Sequence, residues 1–345
     1  MLAQGLVAQG MDVEVMTLDA TGRLPRKEVR DGVLVRRFHI GRRRGRFHLS
    51  AALATWLWRN AADFDLLHAH GYHAPIAFQT ALAARRRGVL FIVSPHYHGT
   101  GHTPAMRLLH VPYGPLGSWM MRSATRIICV SHAERDLVIQ HFRQRTRTRV
   151  IPNGVEVQQI RKARPFDLDH GSKVILSVGR LEPYKGVERV VRAMPFLPRQ
   201  YRLVLIGGGP AKSMLEGLVH SLALDGRVSL LGFVERSELD RWYRTAGTYI
   251  SLSRHEAFGI TLLEAAAAGS SIIASGIPAH REVAQYACAG QITFVDPEVD
   301  PAYLAQTITE ATVPGGGWDL GTARIPTWSG MAQAIAKEYE RILSS

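Results

Sequence analysis

Cysteine is nearly absent: Cys129 and Cys288 are the only two in 345 residues. Two thiols in apolar strand or helix contexts build no disulfide framework, and a reducing, cytoplasmic setting fits best. Long hydrophobic runs are missing as well. No stretch of about 18 uncharged apolar residues occurs, which argues against a membrane-spanning helix. Residues 1–10 have no basic n-region and are too short for a secretory signal. They read instead as the last turns of an amphipathic helix leading into a strand. No period of roughly 20–50 residues recurs, which excludes a solenoid. Acidic side chains are scarce: 29 Asp and Glu against 42 Lys and Arg leave a net charge of +13. An anionic partner is therefore expected, either a nucleotide, a nucleic acid or an anionic membrane. No nucleic-acid-binding module accompanies that charge, so nucleic acid is set aside.

A hydrophobic content of 46% allows large cores, and the length suits two domains. Strand-like apolar runs alternate with helical patterns, which predicts an α/β fold with parallel sheets. Strands are predicted over 13–18, 33–40, 65–69, 90–94, 126–130 and 149–152 in the first half. In the second half they are predicted over 174–178, 203–206, 228–231, 249–252, 271–274 and 292–295. The stretch 154–172 is polar, holds Pro165 and Gly171, and reads as an interdomain linker. The expected partition is a first domain over 1–156, a linker over 157–172 and a second domain over 173–326. Residues 327–345, with Trp328 and a helix over 330–343, would return to the first domain. Two doubly wound domains would bind a ligand at the carboxyl ends of their strands.

The densest motif is Glu256-Ala-Phe258-Gly259-Ile260-Thr-Leu-Leu-Glu264. Gly259 marks a loop turning into a helix over 261–268 that Gly269 ends, and a glycine-led helix start offers free N–H groups to phosphate. Glu256 lies ahead of that start and Glu264 about one and a half turns inside it. Carboxylates on either side of a phosphate site suit hydroxyl donors, and together they describe a pocket for a sugar nucleotide. Taken alone, the two acids read better as solvated charges flanking an Ala-rich helix. Their company decides. After the strand over 174–178 come Gly179-Arg180 and Lys185-Gly186, two permanent cations in a strand-to-helix loop able to clamp a diphosphate. Gly207-Gly208-Gly209-Pro210 ends the next strand in a turn that lets backbone approach a ligand. Gly232-Phe233 ends a third, with Phe233 placed for a nucleobase or for core packing. Ser237-x-x-Asp240 follows as a capping-box pattern.

In this order, the motifs resemble the retaining GT-B glycosyltransferases of family 4. The resemblance covers nearly the whole chain, with Val130-Ser131, Glu134 and Ile151-Pro-Asn-Gly154 as further matches. It implies two facing Rossmann-like domains with an interdomain cleft, and no metal or other cofactor. It also implies roles. Arg180 and Lys185 bind the donor diphosphate and stabilise the leaving group. Glu256 holds hexose hydroxyls beside the N–H groups of Phe258, Gly259 and Ile260, and Glu264 holds the ribose. His96 matches the family's histidine at a first-domain strand end, where it would face the donor sugar across the cleft. His70, His98 and His102 would line the acceptor side. His96-x-His98, read as strand, would point both rings one way, but it lacks the cysteine, carboxylate or second matched pair of a metal site. Asp63-x-Asp65 and Asp167-x-Asp169 imitate a metal-binding DxD in the wrong places.

One departure lies at the front. The family begins with a strand and glycine-rich loop that this first domain lacks, and a misplaced start is the favoured explanation. Arg42-Arg43-Arg44-Gly-Arg46 precedes a helical stretch over 48–62 carrying Trp56 and Trp58, and further basic clusters occur at 85–87 and 143–149. Basic residues beside an aromatic helix suit peripheral contact with the cytoplasmic face of an anionic membrane. A solvated loop beside a packed helix is the alternative. The expected reaction is hexose transfer from a nucleoside diphosphate sugar to a glycan, lipid-linked or glycolipid hydroxyl, in cell-envelope or polysaccharide synthesis. Alternatives are an inactive or truncated sugar-nucleotide-binding protein and another GT-B enzyme.

Overall fold

The computed structural model describes residues 1–40, 49–99, 104–169, 171–311, 318, 320–321 and 323–344, with backbone alone for 104–112. His102 and the Arg42–Arg46 cluster lie outside these residues. The chain divides into two units: unit 1 is Met1–Asn153 with Trp328–Ser345, and unit 2 is Gly154–Thr327.

Among the described residues, unit 1 carries two sheets. β1 (Glu14–Asp19), β2 (Lys27–Arg30) and β3 (Val33–His39) form the first, in the order β1-β3-β2. β1 runs parallel to β3, whereas β2 runs antiparallel. The strand β2 was not predicted from sequence, and it adds one antiparallel pair at the edge of the first sheet. Its four residues show no alternating burial, and Val29 points outward, 72% exposed. A polar edge strand carries no periodic signal to read.

The second sheet is wholly parallel: β4 (Leu66–His70), β5 (Leu90–Ser94), β6 (Arg126–Cys129) and β7 (Thr148–Val150) lie in chain order. Its hydrophobic strands are covered by helices, as buried parallel strands require. On one side sit Leu53 and Leu57 of the helix Ala51–Asn60 with Ala77, Ala81 and Ala84 of the helix Pro75–Arg87. Ser50 caps the first of these through the Leu53 N–H, so that helix begins later than the stretch 48–62 predicted, and it passes into a 3-10 turn at Ala61–Asp63. The helix Trp328–Leu343 buries Met331, Ile335, Tyr339 and Ile342 against Leu6, Ile92, Ile128 and Ile151.

Unit 2 is one six-stranded parallel sheet. β8 (Lys173–Val178), β9 (Tyr201–Ile206), β10 (Val228–Gly232), β11 (Thr248–Ser251), β12 (Ser271–Ser275) and β13 (Ile292–Val295) take the order β10-β9-β8-β11-β12-β13. The chain winds outward one way from β8 and then the other way from β11. This reversal opens a crevice beyond the carboxyl ends of those two central strands, the usual ligand position in open α/β sheets. Residues 157–162, placed in the linker by sequence, form the helix Val157–Lys162, which buries Ile160 within unit 2. The Ser237-x-x-Asp240 capping box is not formed either. The helix Arg236–Thr245 has Glu235 at its N-cap with no side-chain cap, and Ser237 falls inside it.

Candidate functional site

Two loops meet at the strand reversal of unit 2. The first, 179–186, leaves β8; the second, 252–259, leaves β11. They are tied by the Arg254 N–H donating to the Tyr184 carbonyl at 2.9 Å. Gly186 shows why this loop needs glycine. Its φ is +66°, and an added Cβ would stand 2.7 Å from the Leu252 carbonyl oxygen. The close approach brings the Lys185 ammonium to Glu256 Oε1 at 2.5 Å, with the two side chains 19% and 20% exposed. Ser253 donates to the same oxygen at 2.8 Å. Burial opposes charge on Glu256, yet the Lys185 ammonium and the Ser253 hydroxyl hold its carboxyl below the ordinary value. Glu256 is thus an ionised, oriented acceptor and not a solvated charge.

Behind it, the helix Ile260–Ala268 starts at Gly259, φ +108°, with no side-chain cap, and stops at Gly269 in the left-handed region. The uncapped first turn leaves its N–H groups and the positive end of the helix dipole for an anion. Phe258 is buried, so its backbone and not its ring is what faces the loop. Glu264 is 6% exposed. It accepts from Arg236 and, at 2.8 Å on the other oxygen, from the Tyr243 hydroxyl.

Gly179, Gly207 and Gly209 line backbone against backbone at the strand ends. The Gly179 N–H donates to the Ile206 carbonyl, the Gly207 N–H to the Gly232 carbonyl and the Leu181 N–H to the Gly208 carbonyl. Arg180 is half-exposed and paired with Glu182, so it does not join Lys185 on a common carboxylate. Phe233 is 86% exposed, which removes the core-packing alternative, and its ring edge covers the open face of Gly208.

His280 escaped the sequence reading. Its ring is fully buried, with Nδ1 3.0 Å from the Ser275 carbonyl and 3.1 Å from the Ser275 hydroxyl. Nε2 has no hydrogen-bond partner among the described residues. Burial, with the Lys185 charge adding to it, keeps the ring below its ordinary pKa against the pull of Glu256. A side chain at 259 would meet this ring, since an added Cβ lies 3.2 Å from His280 Cδ2. No spacing in the sequence links 280 to 256, so packing alone reveals the contact.

Unit 1 gathers a row of imidazoles at the carboxyl end of its parallel sheet. His68 and His70 share β4, their rings stacked 4.4 Å apart. His70 Nδ1 lies 3.3 Å from His96 Nε2. His68 is held by the Tyr339 hydroxyl at 2.5 Å and by Ser94 Oγ at 2.9 Å. His96 is not on a strand, contrary to expectation: β5 ends at Ser94, and His96 takes φ +47°, the left-handed region. The turn sends its ring to His70, while the His98 ring stands 5.9 Å from His73. The two rings of His96-x-His98 therefore have different partners. The strain at 96 is fixed from the next residue, because the Tyr97 N–H donates to Glu134 at 2.5 Å and Glu134 also accepts from the Val130 N–H at 2.7 Å. Burial pushes the Glu134 carboxyl up to about 8 despite those two donors. Among the described residues no three His, Cys, Asp or Glu side chains gather as metal ligands.

The imidazole row carries a pH dependence. Burial pushes His70 down to about 4, with His96 adding to it, and burial likewise lowers His68 and His96. A ring depressed in the folded state takes up protons later than its unfolded counterpart near 6.5. Its stabilisation is complete above about 6.5 and is lost as the pH falls toward 4. His70 reaches solvent as a residue, which trims its share. Glu134, raised, works in the opposite sense. The expected result is a difference in slope: between pH 7.5 and 5.0, His70→Gln gains about 1–2 kcal/mol on the wild type in urea unfolding. Parallel stability curves would refute a neutral, depressed His70.

Residues 1–159 match the family model described as Glycosyltransferase Family 4, and residues 158–312 match Glycosyl transferases group 1. A D-inositol 3-phosphate glycosyltransferase of Frankia alni is 29% identical over 388 residues, spanning 99% of this chain and 93% of that protein. A phosphatidyl-myo-inositol mannosyltransferase of Mycobacterium tuberculosis is 29% identical over 306 residues, spanning 84% and 76%. Among solved structures, sucrose-phosphate synthase from Thermosynechococcus elongatus superposes with a TM-score of 0.81 at 20% identity, covering 99% of this chain and 92% of that one. Anabaena HepE in complex with UDP gives 0.66 at 18% identity, covering 97% and 98%. These two show the fold, GT-B, with two Rossmann-like domains. Family matches and fold run through both units, and the chain belongs to the retaining, nucleotide-sugar-dependent GT-B glycosyltransferases of family 4.

Proposed function

We propose that the protein transfers a hexose from a nucleoside diphosphate sugar to a hydroxyl of a glycan, lipid-linked or glycolipid acceptor, without a metal, in cell-envelope or polysaccharide synthesis. The observation that carries this is the Lys185–Glu256 pair at the strand reversal, beside the uncapped helix start at Gly259. Carboxylate, cation and helix N-terminus offer, in one place, acceptors for sugar hydroxyls and donors for a diphosphate. Glu256 takes hexose hydroxyls, with the N–H groups of Phe258, Gly259 and Ile260 beside it. Lys185 and Arg180 stabilise the charge that grows on the leaving diphosphate, the role a metal fills elsewhere. Glu264 takes the ribose, while Gly179, Gly207 and Gly209 let the backbone come close and the exposed Phe233 ring offers a face to the base. In unit 1, His96 is assigned to the catalytic set and His70, His98 and His102 to the acceptor side.

Retention is assigned to front-face attack. The anomeric carbon's bond to the leaving phosphate oxygen breaks as its bond to the acceptor oxygen forms on the same face. The acceptor's proton passes to the leaving phosphate. The names of two relatives support a phosphate-bearing polyol or its lipid as acceptor. The surface of unit 1 supports peripheral contact with anionic lipid at the cytoplasmic face. Trp58 is 43% exposed, the Arg86 guanidinium lies 5.5 Å over its ring, and Arg87 donates to its carbonyl. No helix among the described residues is long and apolar enough to cross a membrane.

The test is a thermal-shift screen of UDP-, GDP- and ADP-sugars, followed by turnover of the best donor with inositol phosphate or with phosphatidylinositol in anionic vesicles. One base series should raise the melting temperature by several degrees at about 100 Kd, and release of its diphosphate should require acceptor. No stabilisation by any donor would overturn the reading, and donor binding with no turnover would leave a binding protein instead.

A further inference from the structure

One face of one helix is given over to Glu264. Arg236, Asp240 and Tyr243 stand at the first, fifth and eighth positions of the helix Arg236–Thr245, a spacing that stacks them on the same side. Arg236 Nη1 reaches Glu264 Oε1, and Arg236 Nη2 lies 2.7 Å from Asp240 Oδ1. Asp240, 1% exposed, is braced in turn by Gln159 Nε2 on its second oxygen at 2.6 Å. Tyr243, fully buried, holds Glu264 Oε2.

This arrangement is more than a stabilising ion pair. Two nearly buried carboxylates face one guanidinium, which leaves the cluster with an excess negative charge, and a buried pair is weak evidence for stability. Among the described residues each oxygen of Glu264 is engaged once, and a carboxylate has about four acceptor directions, so about two remain. Vicinal hydroxyls would use both. Arg236 is the member that reaches solvent, with its side chain 41% exposed.

We propose that Arg236 is a positioning residue for the donor's ribose: it fixes Glu264 so that the carboxylate presents its remaining lone pairs to two neighbouring hydroxyls, and thereby selects ribonucleotide over deoxyribonucleotide donors. The inference rests on the assignment of Glu264 to the ribose.

Calorimetry with UDP, GDP and ADP, then with the 2′-deoxy and 3′-deoxy forms of the tightest of them, tests it. Wild type should reject the deoxy forms by at least about ten-fold, since a site built to bond a hydroxyl leaves its own polar groups unpaired with the analogue. Arg236→Ala should shrink that ratio to about three-fold or less and raise the donor KM about ten-fold, with kcat at saturating donor nearly unchanged. Arg236→Lys, keeping the charge but losing the fork, should restore part of the selectivity. Should the alanine variant fail to fold, Asp240→Asn loosens the guanidinium while sparing Glu264, and an intermediate loss is expected. Full selectivity in a folded Arg236→Ala or Asp240→Asn protein would overturn the inference. Glu264→Gln separates the two levels. If it abolishes selectivity where Arg236→Ala does not, only the positioning role falls; if it too leaves selectivity intact, the ribose assignment falls with it.

Discussion

Replacing Lys185 by alanine should lower turnover by about a thousand-fold while unit 2 stays folded, the scale seen when one preorganised donor to developing charge is removed. Two losses combine. The leaving diphosphate loses a cation, and Glu256 loses the ammonium that sits 2.5 Å away and keeps its carboxyl low. Glu256→Ala should cost a similar factor from the other side, by removing the acceptor for hexose hydroxyls and freeing the ammonium from its anchor. Because the two side chains touch, their effects should not add: the double variant is expected to lose far less than the product of the single losses. Initial rates with the donor found by screening, alongside melting temperatures, measure this. Wild-type rates in both single variants would dismiss the pair as the site.

The second large effect concerns the fold. Gly207→Ala should destabilise unit 2 by about 3 kcal/mol or more, because strain and a backbone collision coincide. Gly207 has φ +128°, and its added Cβ would lie 2.0 Å from the Gly179 carbonyl oxygen, which belongs to a neighbouring strand end and cannot swing away. For a domain of this size each kcal/mol moves the midpoint about 2–4 °C, so a drop of roughly 6–12 °C is expected in a thermal melt. Gly217→Ala is the contrast. Gly217 lies exposed inside the helix Lys212–Ser221, and no atom of the described residues lies within 4 Å of an added Cβ. There alanine should gain up to about 1 kcal/mol from helix propensity alone. Equal midpoints for the two variants would contradict the close packing of the glycine turns.

Much of the fold was legible because buried parallel strands are dense apolar runs. The runs at 90–94 and 292–295 coincide with β5 and β13, and other boundaries moved by one or two residues. β2 stayed hidden because an exposed edge strand of four residues has no apolar face to show. At the site, Glu256, Gly259 and Glu264 were legible because loop, cap and helix follow one another in the chain. Arg236 and His280 were not: the Glu264 that Arg236 holds lies 28 residues away on another helix, and the His280 ring meets Gly259, which belongs to a different loop. A signal for Arg236 did exist: Arg236, Asp240 and Tyr243 fall on one helical face, a spacing obscured by the competing Ser237-x-x-Asp240 pattern. His96 was found as a residue but assigned the wrong backbone, because a left-handed turn after Ser94 leaves no mark in side-chain periodicity.

The helix Trp328–Leu343 has a consequence for how the protein comes to exist. Met331, Ile335, Tyr339 and Ile342 belong to the core of unit 1, and Tyr339 also steadies the imidazole row through His68. In the order of synthesis these residues arrive only after every residue of unit 2. Unit 2 can close its six-stranded sheet as soon as it emerges, while unit 1, begun first, must wait with Ile92, Ile128 and Ile151 uncovered. The half that starts first is the half that finishes last, and its exposed apolar face is where a nascent chain of this protein most needs a chaperone.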